Sequence, residues 1–536
     1  MRDAGGRPNG TGDALDAVGC RFLRTFEGLE PSEHVLAAIR AGAASGVTLF
    51  RAKNVSSPAQ VRALAKALQA ARPAGDPPLL IGLDQEGGQL QAVGDGATAW
   101  PGNLALGATG SEALAREAGV AIGLEAAAMG ATLVFAPVCD VLTLASATPL
   151  GTRPFGSDPA LVGRLAAAMT AGLQSAGVVA TLKHFPGHGS AFGDSHVAMP
   201  TIEGSAEEIR ERDLAPFAAG IAAGALAVLP GHLAAPALTG GRSVAATVSR
   251  ELLGDLLRGE LGFEGVTISD ALDMGGAGAT DLGSTVVASA EAGMDLLMLL
   301  HPPNVEDAAV EALRVAARDG RIGQANLTSS EARIRRVREW LAGFDQPGIE
   351  VVGSKAHVDL ARRIAEASVT LVNDPGELLP LVAGSGSRVA VLVPRPADLT
   401  PAETSSYVKV ELGAALRDRG LSVEEHVIQL DPSSGEIAGL VDAVEAADVV
   451  VVATFEAVHF ASQAVLVRRL AERRPTIAIA LRSPYDVSTY PPGVTAICTY
   501  GIQAPQIEAI ADALFGRIPF AGHLPVVLPQ SVGPAR

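Results

Sequence analysis

Cysteine is scarce in this chain: Cys20, Cys139 and Cys498 are the only three in 536 residues. Their odd number and wide spacing fit neither a disulfide framework nor a zinc knuckle, and suit a reducing compartment. Long apolar runs are missing too. No stretch reaches the roughly 18 residues that a membrane span needs, and the opening MRDAGGRPNG has charges and glycines where a signal peptide has its apolar core. The expected location is the cytoplasm. Positive charge is in deficit, 41 Lys and Arg against 58 Asp and Glu for a net charge of -17, so nucleic acid and anionic membranes would be repelled as partners. Aromatic residues amount to only 4%, which offers few stacking platforms for a long crystalline polymer.

What is present is apolar and patterned. Hydrophobic residues make up 48% of the chain, and the length exceeds what one ordinary core supports, so two domains are expected. From Gly46 to Leu300 short β-branched runs alternate with Ala-rich helical stretches, the pattern of strand–helix units around a parallel sheet. Candidate strands end at Phe50, Leu83, Val138, Lys183, Pro230, Asp270 and Leu300, with room for an eighth. That count points to a (β/α)8 TIM-type barrel over residues 1–348. Beyond a linker, DQPGIEVVGS, strands such as RVAVLV and DVVVVAT alternate with helices, which predicts a smaller three-layer α/β sandwich over residues 349–536. GSGS at Gly384 precedes a strand and reads as a turn, not a phosphate loop.

Arg51, Asp84, Asp140, Lys183, His184, His232 and Asp270 each fall at or just past a strand's C-terminal end, where barrels keep their chemistry. Any one of them alone could merely cap a following helix; seven together call for another reason. Residues 183–200, KHFPGHGSAFGDSHVAMP, contain glycines and proline that forbid regular structure. Within this loop Asp194 and His196 are two apart, so in extended chain both side chains point the same way. A carboxylate on one ring nitrogen fixes the tautomer and raises the basicity of the other, which makes a proton-transfer group. Asp270 ends a buried strand, where a carboxylate needs partners or a role, and reads as a nucleophile. Asp273, one turn on, reads as ordinary first-turn acidity. Asp84 is placed to hold substrate hydroxyls, and Glu86 reads as structural.

These stretches together resemble glycoside hydrolase family 3, and within it the β-N-acetylglucosaminidase branch. KHFPGHG followed by Asp-Ser-His carries the resemblance, with LFRAKNV, DQEGG, WPGNLALGAT, FAPVCDV, GTRPFGSDP, GHLAAPAL and SDALDM in the family's order. The resemblance implies a retaining exo-β-N-acetylhexosaminidase with Asp270 as nucleophile and His196 as acid/base assisted by Asp194. It also implies that Asp84, Arg153, Lys183 and His184 hold the terminal sugar with His232 near the pocket. Substrates would be short soluble oligosaccharides or muropeptides, and neither metal nor organic cofactor is required. Three departures stand out: Gln89-Leu90-Gln91-Ala92 where Arg-Val-x-Arg is usual, Ser190-Ala191 for Asp-Thr, and Pro154 for Ser.

Three rival readings stay open on the sequence. Phosphate could replace water as acceptor, because a neutral histidine does not repel it, giving a phosphorylase. His184, His188, Asp194 and His196 are residue types that suit zinc, giving a metal-dependent hydrolase. The same pocket without turnover would be a sugar sensor.

Overall fold

The structure, a computed structural model, describes residues 17–192, 199–272, 274, 281–382 and 388–529. Eight parallel strands form the first domain: β1 (Phe22–Arg24), β2 (Gly46–Leu49), β3 (Leu80–Leu83), β4 (Leu133–Val134), β5 (Val179–Phe185), β6 (Ala227–Pro230), β7 (Val266–Thr267) and β8 (Leu297–Met298). They pair in chain order, and β8 pairs with β1 through Phe22 opposite Leu297. The ring closes between β7 and β8, where Leu296 N donates to the Thr267 carbonyl and Ser269 N to the Leu296 carbonyl, both at 2.9 Å. The strand that the sequence reading left open is β1, a three-residue element too short to show a period.

Side chains alternate across each strand. Leu23, Leu80, Leu133, Val179, Ala227 and Val266 fill the barrel interior, while neighbours such as Ile81, Val134, Ala180 and Val228 pack outward on the helices. The interior is therefore a packed core. Gly82 is the exception that shapes its upper layer: a Cβ there would come within 2.9 Å of the Phe135 ring, so glycine lets that ring lie across the barrel mouth as a floor. At the opposite end the buried Asp295 receives Arg258 Nη2 and Arg333 Nη2, each at 2.7 Å. That cluster ties strands to the helix Gln324–Leu341 at the end remote from the chemistry.

A helix, Lys355–Ser368, leads into the second domain, whose strands are β9 (Thr370–Asn373), β10 (Arg388–Pro394), β11 (Ser422–Ile428), β12 (Val449–Thr454), β13 (Thr476–Ala480) and β14 (Thr495–Cys498). Their order is β9-β14-β13-β12-β10-β11, parallel except for β9 against β14. Alternation sends Val389, Val391 and Val393 to one face and Ala390 and Leu392 to the other. Helices cover both faces, which makes three layers.

The two domains share an apolar cluster in which Leu104, Leu142 and Leu150 meet Tyr485, Tyr500 and Val526. Polar ties flank it: Gln503 Nε2 donates to the Gly88 carbonyl at 2.8 Å, and His357 Nδ1 lies 2.8 Å from Glu125 Oε1. No helix among the described residues is long and apolar enough to cross a membrane.

Candidate active site

In a closed parallel barrel every strand points its C-terminal end to the same rim, so side chains a hundred residues apart meet there. Asp84 follows β3, Asp140 follows β4, Lys183 and His184 lie in the last three residues of β5, and Asp270 follows β7. Lys183 Nζ donates to Asp84 Oδ1 at 2.8 Å and to Glu86 Oε1 at 2.5 Å. Arg153, from the loop after β4, grips both oxygens of Glu86 through Nε at 3.0 Å and Nη2 at 2.9 Å, the planar fork that only arginine supplies. Burial by itself would raise the Glu86 carboxyl; Arg153 and Lys183 outweigh it and hold Glu86 down at about 2. Burial likewise works against the Lys183 ammonium, but Asp84 and Glu86 raise it on balance.

The state of His184 follows from its partners. Arg153 Nη2 lies 3.2 Å from His184 Nε2, and a guanidinium only donates, so Nε2 accepts. Nδ1 then carries the proton and donates to Asp140 Oδ2 at 2.7 Å. Asp140 also accepts the backbone N–H groups of His184 at 3.2 Å and His188 at 2.6 Å. Burial would raise the Asp140 carboxyl; the His184 imidazole and the N–H and ring of His188 bring it to about 2. With both ring nitrogens engaged, His184 has no lone pair for a metal ion and no nitrogen to shuttle a proton. Burial, the largest influence on His188, keeps its imidazole pKa below the ordinary value.

Asp270 opens into the same cavity, with Oδ1 accepting the Ala271 N–H at 2.8 Å. His232 stands behind the wall, fully buried. Its Nε2 donates to the Ala271 carbonyl at 3.0 Å and its Nδ1 meets Thr247 Oγ1 at 2.9 Å, so it holds the Ala271–Leu272 peptide, one residue beyond Asp270. Asp194 and His196 lie outside the described residues, as do Asp273 and the Gly384 turn. The flanks of that loop are joined: Ala191 pairs with Ile202, and Ser190 Oγ donates to Asp213 Oδ1 at 2.7 Å. Among the described residues no group of three His, Cys, Asp or Glu side chains is arranged to hold a metal ion.

The cavity measures about 460 Å³. Asp84, Arg153, Lys183, His184 and Asp270 line its deep end, and Phe135 is the floor. Its other wall comes from the second domain, through Asp398, Thr400, Glu403, Thr404 and Tyr407. Sequence reasoning placed no site residue there, and no local signal marks that segment. The departure at Gln89 to Ala92 serves this junction. The Gln89 carbonyl accepts Thr404 N at 2.7 Å and Thr404 Oγ1 at 2.9 Å, and its side chain accepts Thr152 N at 2.7 Å. The buried Arg482 also lies at this junction, 3.2 Å from Glu403 Oε1 and 2.6 Å from Glu456 Oε1.

Comparison with known proteins gives matches along nearly the whole chain. The model described as Glycosyl hydrolase family 3 N terminal domain matches residues 14–337, and the Glycosyl hydrolase family 3 C-terminal domain matches residues 368–535. Beta-hexosaminidase A of Pseudoalteromonas piscicida is 30% identical, over 90% of this chain and 89% of that one. A beta-N-acetylglucosaminidase/beta-glucosidase of Cellulomonas fimi is 32% identical over 84% and 83% of the two chains. The solved structure of a glycoside hydrolase family 3 beta-N-acetylglucosaminidase from Paenibacillus sp. str. FPU-7 superposes with a TM-score of 0.89, at 33% identity and covering 96% and 98% of the two chains.

Proposed function

Because the chain belongs to glycoside hydrolase family 3, we propose that it is a retaining exo-β-N-acetylhexosaminidase that removes terminal β-linked N-acetylglucosamine from short soluble glycans. Asp270 attacks the anomeric carbon while His196, oriented by Asp194, protonates the departing oxygen. The glycosyl-enzyme is then hydrolysed by a water from which His196 takes the proton, with net retention of configuration. Asp84, Lys183 and Arg153 hold the hydroxyls of the terminal sugar, and His184, fixed by Asp140, keeps Arg153 in place beside them. His232 acts at one remove, through Ala271. No metal or organic cofactor takes part, and the substrates are chitooligosaccharide or peptidoglycan-derived fragments met in the cytoplasm.

The observation that carries this reading is the polar network at the strand ends, which shares one cavity with Asp270. In it Lys183 and Arg153 face Asp84, Glu86 and Asp140, and Asp270 adds a further carboxylate to the cavity. That excess of negative charge favours the positive charge that develops on the sugar ring in the transition state. Because the network is already paired and buried, little reorganisation is left for the moment of reaction.

The test is release of p-nitrophenol from the β-N-acetylglucosaminide and the β-glucoside by the wild type and Asp270→Asn, with and without phosphate. The reading expects turnover of the acetamido sugar, its loss by a factor of about 10³ or more in the variant, and indifference to phosphate. Acceleration by phosphate with release of a sugar 1-phosphate would make the protein a phosphorylase. A preference for the glucoside would move the specificity. Undiminished activity in Asp270→Asn would remove Asp270 from the reaction, and absence of turnover on either sugar would favour a sensor.

A further inference from the structure

The cavity has two unlike halves. At the deep end each cation is matched by a carboxylate, as Lys183 is by the buried Glu86 and the half-buried Asp84. At the outer end the wall carries Arg51 and Lys53 from the barrel and Tyr407 from the second domain. The counter-ions there are weak: Asp95 lies 3.9 Å from Arg51 and is 93% exposed, and Glu27 lies 3.4 Å from Lys53 and is 83% exposed, so water screens both.

Arg51 is nonetheless held in place. Its guanidinium carbon lies 4.1 Å from the centre of the Tyr407 ring, a stacked cation–π contact. Nη1 reaches the Gln91 carbonyl at 3.5 Å, and the group occupies room that only glycine leaves, since a Cβ on Gly94 would collide with Nη1. The segment that brings Tyr407 is fixed in turn. Glu403 accepts Leu399 N at 2.9 Å and Ser405 Oγ at 2.6 Å and is paired with Arg482. Asp398 faces the same cavity, but both of its oxygens accept from Ser406, at 2.8 and 2.6 Å.

We propose that Arg51 and Tyr407, one from each domain, form the subsite for the aglycone, and that this subsite favours an aglycone ring bearing a carboxylate. The inference rests on the preceding reading: with the terminal sugar held by Asp84, Lys183 and Arg153 at the deep end, the bond to be broken faces outward. Tyr407, 55% exposed, offers the aglycone ring the part of its surface that Arg51 leaves open, and Arg51, with Lys53 beside it, attracts the acid group. The barrel alone would lack the aromatic half of this subsite, which gives the second domain a direct part in specificity.

The experiment compares two isosteric substrates, the 4-carboxyphenyl and 4-carbamoylphenyl β-N-acetylglucosaminides, on the wild type, Arg51→Gln and Tyr407→Leu. The carboxylate is the poorer leaving group of the two, so a preference for it cannot come from leaving-group chemistry. In the wild type at low salt the ratio of kcat/KM, acid over amide, is expected to exceed one by about three- to tenfold. It should fall toward one in Arg51→Gln and with rising salt. In Tyr407→Leu KM should rise for both substrates alike. A loss of folded protein lowers both values together and leaves the ratio intact. Cleavage of both substrates with no preference, or a preference that Arg51→Gln leaves unchanged, overturns the subsite alone; cleavage of neither overturns the functional reading beneath it.

Discussion

Replacing Glu86 with glutamine tests whether the buried ion network holds the barrel mouth together. The change keeps the side chain's volume, so no cavity opens and the effect is electrostatic. Glu86 is fully buried and touches Arg153 and Lys183, themselves 5% and 3% exposed. Removing one partner of a buried pair leaves charge uncompensated and costs about 3–5 kcal/mol, a large share of the roughly 5–15 kcal/mol by which domains are stable. Linkage gives an independent figure. The folded-state pKa is depressed from 4.5 to about 2, so the group's stabilisation is fully present above pH 4.5 and is lost as pH falls from 4.5 toward 2. It amounts to about 3 kcal/mol. Trp100 and Trp340, the only two tryptophans, both belong to the barrel half, so urea unfolding followed by their fluorescence reports on the right domain. Glu86→Gln should unfold at clearly lower urea than the wild type at pH 7, and the gap should shrink by more than half at pH 3. Equal midpoints at pH 7, or a gap that does not change with pH, would refute the argument.

Other expectations follow from the same geometry. Asp140→Asn places an amide N–H against His184 Nδ1; the imidazole must then protonate Nε2 and face the Arg153 N–H donor to donor. One or two buried hydrogen bonds are lost, which should lower kcat/KM about ten- to hundredfold with a larger change in KM than in kcat, and an unchanged KM would contradict the role. Gly189→Ala should be strongly destabilising, because a Cβ there comes within 1.8 Å of the Val141 backbone carbonyl; a thermal midpoint within a degree or two of wild type would contradict the local packing. Asp270→Asn is expected to abolish glycoside cleavage, and Arg51→Gln to erase the preference for an acidic aglycone.

Much of this protein was legible in its sequence, for reasons that are local. Strands buried on both faces demand unbroken apolar runs, so GVTLF, LLIGL and GVTISD could be read directly. The residue that ends each run must lie on one rim of a closed parallel barrel, whatever its distance along the chain. That rule brought Asp84, Lys183, His184 and Asp270 into one cavity before any coordinates. Motif order added the family. Tertiary structure alone decided the rest. Glu86 looks structural in sequence and Asp140 shows only its strand-end position; their importance comes from pairing with Arg153 and His184, partners 67 and 44 residues away. The tautomer of His184 depends on which side chains face its two nitrogens, and no spacing encodes that. The outer wall of the cavity belongs to a segment more than 300 residues from β2. Its contact with Arg51 arises only when the apolar faces of two domains dock, because burial rewards area without regard to sequence separation.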